Sequence, residues 1–460
     1  MTQTIAIVGA NLCGWMTAAA LARRLPYAAY QIMVIDDGAA GDGLGDFAPM
    51  ITVPPALVAF HAEIGLDHAA LVGAGGGHAL GVAFDGWRGD GSAAFLSYGE
   101  TGAPYEAIAF HNLVGRLRAT GANVRLADHA LAAVAAQTGR FASDGSIAHA
   151  VHVRTDRYSA LLRSLASNAG ATASSTPLAA VHSNADGIVE TLTLADGSEI
   201  TPLLVLDCSG SAAVVAGRTS PAFEDWSALL PCDRTQVALL PAEGAPPPYT
   251  QVDAQDDGWI ATWPVDGVDV RLICRVGGEG HPFRAGRRVE AWRGNCVALG
   301  AAAGVLEPLH PTALSLLLRS LARLIQLWPA TPRAPVEAAA FNRAGAAAIE
   351  GARDFLVAQY AVAGRAGAFW DDRRSASLPE HVAAKRDLFA ARGRLPMYDD
   401  EPFEEEDWAA MFDAMGVVPR RYDARADLVP VDAIERHLAE NRARIIARVR
   451  ALPSYAGVAA

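Results

Sequence analysis

Lysine is almost absent from this chain. Of its 38 Lys and Arg residues 37 are arginine, and Lys385, in the C-terminal third, is the single lysine. Any chemistry that needs a lysine amine beside its substrate therefore has only this residue to draw on. Arginine is a poor substitute because its guanidinium is planar and permanently charged.

An excess of positive charge is also missing. The formal net charge is −12, and no cluster of basic residues stands out from the acidic background. Proteins that bind nucleic acids or anionic membranes concentrate Lys and Arg on one surface, so we expect neither partner here. The short basic stretches at 284–288 and 442–450 have the spacing of a turn and of a solvated helix face.

Cysteine is scarce and scattered. The five cysteines are Cys13, Cys208, Cys232, Cys274 and Cys296. No pair has the spacing of metal ligands, so we expect no metal site. The N-terminus lacks the basic region of a signal peptide, and no uncharged apolar run is long enough to span a membrane. These absences favour reduced cysteines in a soluble cytoplasmic protein.

What the chain does contain is a strand–turn–helix–strand pattern at its start. Thr4–Val8 is a short, β-branched apolar run, typical of a buried parallel strand. A glycine-containing turn leads into Trp15–Leu25, an Ala-rich stretch of strong helix formers. Tyr30–Ile35 is a second strand and ends at two aspartates. We expect an α/β protein with a Rossmann-like dinucleotide-binding fold.

The turn between strand and helix predicts a phosphate-binding site. Gly9 allows a tight turn, and Gly14 lets helix and strand approach closely, so that backbone N–H groups face a pyrophosphate. Asn11 stands where the motif has its central glycine, and asparagine tolerates unusual backbone angles. Asp36 or Asp37 would accept hydrogen bonds from the ribose hydroxyls of an adenine dinucleotide without a 2′-phosphate.

The rest of the chain alternates strands and turns before it becomes helical. Ile188–Leu194 and Glu199–Asp207 flank an Asp-Gly turn and predict a hairpin. Gly267–Val276 indicates another strand. A long helix is expected over Thr312–Trp328, ended by Pro329. Beyond residue 334 the composition is helical and rich in Arg and Glu.

A series of segments carries a family resemblance. They are Gly14-Trp15-Met16, Leu204–Gly210, Pro231–Arg234, Gly258–Pro264, Asn295–Leu309, Ala352–Tyr360 and Phe369-Trp370. In this order and spacing, and with the closing Leu452–Tyr455, the chain resembles the flavin-dependent tryptophan halogenases over nearly its whole length.

This resemblance implies a single-component FAD site, supplied with reduced FAD by a separate flavin reductase. In that family reduced flavin reacts with oxygen and halide is oxidised to hypohalous acid. A lysine beside a glutamate then directs this acid at an indole carbon. The residues expected to bind FAD are Gly9, Asn11, Gly14, Trp15, Asp36, Gly300, Gly304, Pro308, Leu309, Thr312 and Ala313. Halide, if used, would contact the backbone of the last two.

The resemblance also implies a domain organisation. We expect an FAD-binding core over residues 1–330, with substrate-region insertions at about 50–150 and 215–290. A C-terminal helical region over 331–460 would pack over the substrate side.

The residues that carry halogenation in that family are replaced here. Counting back from Phe84–Trp87 places Ala79 at the lysine position, and the segment Leu306–Thr312 places His310 at the glutamate position. An alanine can neither be chlorinated nor donate a hydrogen bond to hypohalous acid. Losing both ends of an acid–base pair costs several orders of magnitude in rate, so we expect little or no chlorination of free tryptophan. Lys385 could supply an amine only if the C-terminal helices fold over the site.

In that family a pair of tryptophans lies between the flavin and substrate chambers, and this partition is altered here as well. Trp259 is kept, the second tryptophan position holds Ala261, and a tryptophan follows at Trp263. Ala261 would open this wall unless Trp263 fills the space. A milder change lies in the loop Gly43–Phe47, where Asp46 replaces the family's glutamate.

Two histidines are candidates to replace the lost pair. His78 lies beside Ala79, and His310 occupies the glutamate position, so that one could titrate near neutral pH while the other orients it. Both could equally be ordinary residues of a glycine-rich loop and a pocket wall. Other histidines have no metal-ligand spacing and are interpreted as structural: His61, His111, His152 and His281.

Three functions remain open at this point. We favour an FAD-dependent oxidoreductase of this family that uses reduced flavin and oxygen on an aromatic or peptide substrate. The alternatives are an active halogenase with altered machinery at His78 and His310, and a flavin-binding protein without turnover. The expected partners are the substrate and a flavin reductase, and a homodimer is left open.

Overall fold

The computed structural model describes residues 2–26, 28–38, 49–241, 246–265 and 267–455. The strands in the first half are β1 (Gln3–Val8), β2 (Tyr30–Ile35), β3 (Met50–Val53), β4 (Gly77–Ala79), β5 (Gly81–Asp85), β6 (Ala94–Ser97), β7 (Ala150–Arg154), β8 (Thr172–Ala173), β9 (Leu178–Ser183), β10 (Val189–Leu194), β11 (Glu199–Ile200), β12 (Leu204–Asp207) and β13 (Phe223–Asp225). The remaining strands are β14 (Arg234–Pro241), β15 (Thr250–Ala254), β16 (Gly258–Val265), β17 (Val268–Arg275), β18 (His281–Pro282), β19 (Gly286–Arg288), β20 (Trp292–Arg293), β21 (Cys296–Ala298) and β22 (Gly304–Val305).

The helices are α1 (Leu12–Arg24), α2 (Val58–Ile64), α3 (His68–Val72), α4 (Phe110–Ala119), α5 (Leu131–Gln137), α6 (Thr155–Asn168), α7 (Ala216–Thr219), α8 (Thr312–Gln326), α9 (Pro335–Val362), α10 (Ala368–Ser375), α11 (Glu380–Arg392), α12 (Glu405–Ala414) and α13 (Val431–Ala451). None of these described helices is both long enough and apolar enough to cross a lipid bilayer.

The chain folds into two compact units, each built from three separate segments. Unit 1 comprises Met1–Gly76, Val153–Gln236 and Gly277–Glu350. Unit 2 comprises Gly77–His152, Val237–Val276 and Gly351–Ala460. This division differs from the predicted core over 1–330 and separate region over 331–460. Parts of both insertions group with the C-terminal helices. β5, from the first insertion, pairs with β15, from the second, and helices of the first insertion share buried clusters with the last helix of the chain.

Unit 1 contains the predicted Rossmann-like sheet. Its strand order is β20-β21-β12-β1-β2-β8, and β1 lies parallel to both β2 and β12. The apolar run predicted at Thr4–Val8 is confirmed as the central strand, and the second predicted strand coincides with β2. Ile5 and Ala6, which point to opposite faces of the strand, are both fully buried, as expected for a strand covered on both faces.

Two sequence-based element assignments in this unit need correction. The first helix begins at Leu12, three residues before the predicted start, because the second half of the glycine turn is already helical. The predicted strand Glu199–Asp207 is wrong as a single element. Pro202 interrupts it, so that β11 pairs antiparallel with β10 while β12 joins the parallel sheet.

Unit 2 contains a mixed sheet with helices from the end of the chain. Within it β17, β16, β15, β5 and β6 lie side by side in that order. β4 pairs antiparallel with β7. Helix α4 packs its apolar face with residues of α13 in one buried cluster, and α5 shares a second cluster with the C-terminal end of α13. The helical composition predicted beyond residue 334 is therefore confirmed.

Candidate functional site

The carboxyl edge of the parallel sheet in unit 1 collects many of the predicted cofactor residues. β1 ends directly before Gly9, β2 ends directly before Asp36, and β21 ends two residues before Gly300. Because these strands are parallel, their carboxyl ends meet at one edge of the sheet. Open α/β sheets bind nucleotides at this edge, so the sequence pattern and the topology point to one location.

Both glycines of the turn are required by the turn itself. Gly9 has φ +117°, and a Cβ built on it would lie 2.5 Å from the carbonyl oxygen of Cys208. A Cβ on Gly14 would lie 1.9 Å from the carbonyl oxygen of Gly9. These contacts hold the first turn of α1 against the end of β1, which leaves the N-terminus of α1 at the carboxyl edge.

Asn11 fits the turn for a different reason from the predicted one. Its backbone is extended, with φ −118° and ψ −172°, so no unusual conformation is involved. Its side-chain Oδ1 accepts from the N–H of Gly14 at 3.1 Å, and its Nδ2 donates to the carbonyl oxygen of Cys208 at 2.8 Å. Asn11 therefore caps α1 and ties it to the end of β12, and it occupies one N–H that a phosphate would otherwise use.

Asp36 and Trp15 occupy different environments. The Asp36 side chain is exposed at the end of β2, and its Oδ1 accepts from the N–H of Gly38 at 2.9 Å. An exposed carboxylate at this position suits a ribose hydroxyl. The Trp15 indole is 3% exposed, with the guanidinium of Arg163 over its ring at 5.2 Å. Trp15 thus packs between α1 and α6, and its side chain supports the helix.

The predicted cofactor segment after β21 has glycines of two kinds. Gly300 has φ +58°, a left-handed conformation that favours glycine. Gly304 lies in β22, where a Cβ would sit 2.5 Å from the Cδ1 of Ile349. Gly304 is therefore explained by packing. Pro308 and Leu309 follow, the first half-buried and the second 4% exposed.

His310 directly precedes helix α8. Its side chain is half-buried, and its carbonyl oxygen accepts from the N–H of Thr312 at 2.8 Å. Pro311 holds the N-cap position of α8, which therefore receives no side-chain cap. The first turn, with Thr312 and Ala313, carries the partial positive charge of a 15-residue helix. His310 thus stands at a helix end whose field favours negative charge.

Sequence reasoning missed three polar residues that shape this unit. Asp207, fully buried at the end of β12, accepts from the N–H groups of Val215 and Ala216 at 2.9 and 2.7 Å. Arg288 donates to the carbonyl oxygen of Ala302 at 2.8 Å, and burial lowers its pKa. Glu307 is 1% exposed, and its Oε1 accepts from the N–H of Cys232 at 2.9 Å. All but Arg288 lie in segments that carry the family resemblance.

In unit 2 the three predicted partition residues share one face of β16. Successive side chains of a strand alternate, so Trp259, Ala261 and Trp263 point the same way. The indole N–H of Trp259 donates to the hydroxyl of Tyr360 at 2.9 Å. Trp263 lies with its ring centroid 6.4 Å from that of His152. The two tryptophans thus have separate partners on either side of Ala261.

Ala79 and His78 face opposite sides of β4. Ala79 lies opposite Ala150 on β7, and His78 lies opposite Val151. The His78 ring packs 4.4 Å from that of Phe141 and is 5% exposed. A histidine on the opposite face does not occupy the space that a longer side chain at position 79 would enter, so His78 is a poor replacement for the lysine.

The single lysine forms an ion pair and ring contacts elsewhere in unit 2. Lys385 is 1% exposed, and its Nζ lies 3.1 Å from the Oε1 of Glu401. The same ammonium lies over the rings of Tyr398 and Trp408, 4.9 Å from each centroid, and donates to the carbonyl oxygen of Pro396. The predicted loop Gly43–Phe47, by contrast, lies outside the described residues.

Comparisons of the sequence and of the structure with known proteins point to the same family. The sequence model of the tryptophan halogenase family matches residues 4–268 and 273–431. Tryptophan 6-halogenase SttH of Streptomyces toxytricini is 29% identical over 212 residues, which cover 40% of each chain. The chain thus spans less than half the length of this curated relative.

Two solved structures match over nearly the full length. BrvH, a flavin-dependent halogenase from Brevundimonas sp. BAL3, is 30% identical with a TM-score of 0.91, covering 100% of this chain and 98% of that one. Xcc4156, a flavin-dependent halogenase from Xanthomonas campestris, is 29% identical with a TM-score of 0.91 and the same coverage.

Proposed function

Because the chain belongs to the tryptophan halogenase family, we propose that it is an FAD-dependent oxidoreductase that uses reduced flavin and oxygen on an aromatic or peptide substrate. The observation that carries the proposal is the carboxyl edge of the unit 1 sheet, where the N-terminus of α1 and the carboxylate of Asp36 follow two neighbouring parallel strands. These are the groups that a pyrophosphate and an adenosine ribose require.

The residues present fit this cofactor. The turn Gly9–Gly14 packs the start of α1 closely against the end of β1, because a side chain at either glycine would collide with backbone, and this holds the N-terminus of α1 at the carboxyl edge. Reduced FAD bound there would supply the two electrons that bring dioxygen to the peroxide level, the oxidation level at which halide and a proton can be converted to hypohalous acid and water. A separate flavin reductase would supply the reduced FAD.

The family's ordinary halogenation is not what these residues support. The lysine position holds Ala79, the single lysine is held by Glu401, and the neighbouring His78 faces away from Ala79. No amine is therefore available on the Ala79 face of β4 among the described residues. We propose that the oxidant acts on substrate without the lysine–glutamate pair of the family.

An aromatic substrate class is supported by family membership. The aromatic cluster of unit 2 does not carry it, because its four rings contact one another and are at most 1% exposed: Trp259, Tyr360, Trp87 and Trp370. This cluster is therefore core packing. Free tryptophan and an aromatic side chain of a peptide are the two forms that such a substrate could take.

An active halogenase with altered machinery is the second candidate. His310 favours it, because it holds the glutamate position directly before the uncapped N-terminus of α8. A positive helix end could hold halide, and a neutral histidine there could accept a proton.

Cofactor titration tests the proposal first. Purified protein is titrated with FAD, reduced FAD and NAD, and we expect binding of a flavin form and not of NAD. Tight NAD binding with no response to either flavin would end the proposal.

With a flavin reductase, NADH, oxygen and bromide, we then expect oxygen consumption with little bromotryptophan by mass spectrometry. Robust bromination of tryptophan would show instead that the second candidate is correct.

A further inference from the structure

Almost all the sulfur atoms in the described part of the chain are withheld from solvent. All five cysteines are buried. Met397 is the exception among the described methionines, because it is 37% exposed. The others are half-buried or buried: Met16, Met33, Met50, Met411 and Met415. Peroxides convert accessible thioethers to sulfoxides, so Met397 is the sulfur that such an oxidant reaches first.

Met397 lies beside the single lysine of the chain. It stands in the loop between α11 and α12, and its Sδ is 3.8 Å from the Nζ of Lys385. An ammonium has three N–H donors. One donates to the carbonyl oxygen of Pro396, and the Oε1 of Glu401 lies 3.1 Å from the nitrogen. Besides the two ring faces described above, the remaining donor has only the thioether, which is a weak acceptor.

An added oxygen would change this contact from weak to strong. At 3.8 Å the sulfur itself is a distant partner, but an oxygen bonded to Sδ and inclined towards Nζ falls within hydrogen-bond range. Hydrogen bonds that involve a charged donor are roughly twice as strong as neutral ones. Sulfoxides disrupt packing when they form inside a core, and Met397 is too exposed for that cost to apply.

We propose that Met397 is an oxidative modification site whose sulfoxide is held by Lys385. Hydrogen peroxide transfers one oxygen atom to Sδ, so that an S–O bond forms, the O–O bond breaks and the second oxygen leaves as water. The sulfur loses the two electrons that the peroxide gains. The sulfoxide oxygen then accepts the remaining N–H of Lys385 and fastens the loop to α11. This inference rests on the proposed function for its source of peroxide.

The first experiment asks where oxygen is added. Flavin-free protein is treated with hydrogen peroxide, the reaction is stopped with catalase at intervals, and peptide mass spectrometry maps each sulfoxide. We expect one oxygen at Met397 before any appears at Met411, which is fully buried in the neighbouring helix α12. Equal rates of oxidation at these two methionines would overturn the inference.

The second experiment asks whether Lys385 holds the new oxygen. Protein oxidised at Met397 should melt about 2 °C higher than reduced protein, the shift expected for one hydrogen bond to a charged group in a chain of this length. Lys385→Leu with Glu401→Gln removes both charges, and oxidation of this double variant should give no rise. A melting temperature of wild type that stays the same or falls on oxidation would overturn the inference.

Variants of Met397 itself keep the test decisive should the double variant fail to fold. Met397→Gln carries a carbonyl oxygen near the position of the sulfoxide oxygen, and Met397→Leu is the matched control without an acceptor. We expect the glutamine variant to melt above the leucine variant, and equal melting temperatures would contradict the role of Lys385.

The flavin titration separates this inference from the proposed function. If flavin binds and added peroxide leaves Met397 unmodified, the modification site is wrong and the proposed function stands. If no flavin binds while peroxide modifies Met397 and raises the melting temperature, the proposed function fails and the site stands.

Discussion

Asn11 is the residue whose replacement tests the cofactor site most directly. Its side chain takes the N–H of Gly14, which a pyrophosphate would otherwise bind. We expect Asn11→Gly to tighten FAD binding by about threefold to tenfold, the value of one recovered hydrogen bond. The helix should lose only a few tenths of a kcal/mol, because glycine is a tolerable N-cap. Fluorescence titration with FAD measures the change.

The matched control for this change is Asn11→Ser. Serine can still cap Gly14, so its affinity for FAD should stay at the wild-type value. Weaker binding in Asn11→Gly than in Asn11→Ser would mean that the Asn11 side chain helps the cofactor.

Lys385 is expected to matter for stability. Its ammonium and Glu401 form an ion pair whose side chains are 1% and 10% exposed. Lys385→Met leaves a buried carboxylate without its partner and should lower the free energy of unfolding by about 3 kcal/mol. Arg386→Met, on the same helix but more exposed, should change it by less than about 0.5 kcal/mol. Urea denaturation measures both, and equal effects would contradict the buried pair.

The opposite orientations of residues 78 and 79 on strand β4 lead to different predictions for two double variants. We expect Ala79→Lys with His310→Glu to restore some bromination of tryptophan, because both lost groups return. His78→Lys with His310→Glu should not, because position 78 faces Phe141. Mass spectrometry of the product, with the melting temperature of each variant, makes the comparison. Equal product from the two double variants would contradict the assignment of faces on β4.

Strand β16 tests the altered partition. If Ala261 leaves the wall open, reduced flavin should release hydrogen peroxide in the absence of halide and substrate. Ala261→Trp should lower that yield, while Ile260→Trp, on the opposite face, should leave it unchanged. A peroxidase-coupled assay measures the yield. An unchanged yield in Ala261→Trp would mean that Trp263 already fills the space.

The elements also show where sequence reasoning succeeds and where it stops. β1 and β2 were predictable because apolar, β-branched runs report burial on both faces. The opposite orientations of His78 and Ala79 follow from strand alternation, but only once β4 is known to be a strand. The pairing of His152 with Thr250 joins residues 98 positions apart. No local pattern encodes such a contact, because it depends on how distant strands pair.

At the scale of the whole molecule, buried histidines set a dependence of stability on pH. Burial lowers the pKa of His61 and His129 to about 4, and that of His152 to about 3. The unfolded chain binds these protons near pH 6.5, so stability is lost as the pH falls from there towards the folded values. At pH 5 each fully buried histidine should contribute a loss on the order of 2 kcal/mol.

Urea denaturation at pH 7.5 and pH 5 measures this loss. His61→Gln should reduce the difference between the two pH values, because it removes one of the protonation sites. His281→Gln is the control, since His281 is exposed and should leave the difference unchanged. A stability that does not change between the two pH values would contradict the burial of these groups as neutral imidazoles.

The three-segment make-up of each unit has a consequence during biosynthesis. A nascent chain emerges from the ribosome N-terminus first. β1 therefore lacks its neighbour β12 until residue 207 has been synthesised. Unit 1 as a whole is incomplete until residue 350 has been synthesised. Unit 2 waits longer still, because its last segment begins only at Gly351. Unpaired strand edges are prone to intermolecular pairing and aggregation until their partner strands have been synthesised. This chain should therefore depend on chaperones during translation more than a protein whose domains are consecutive in sequence does.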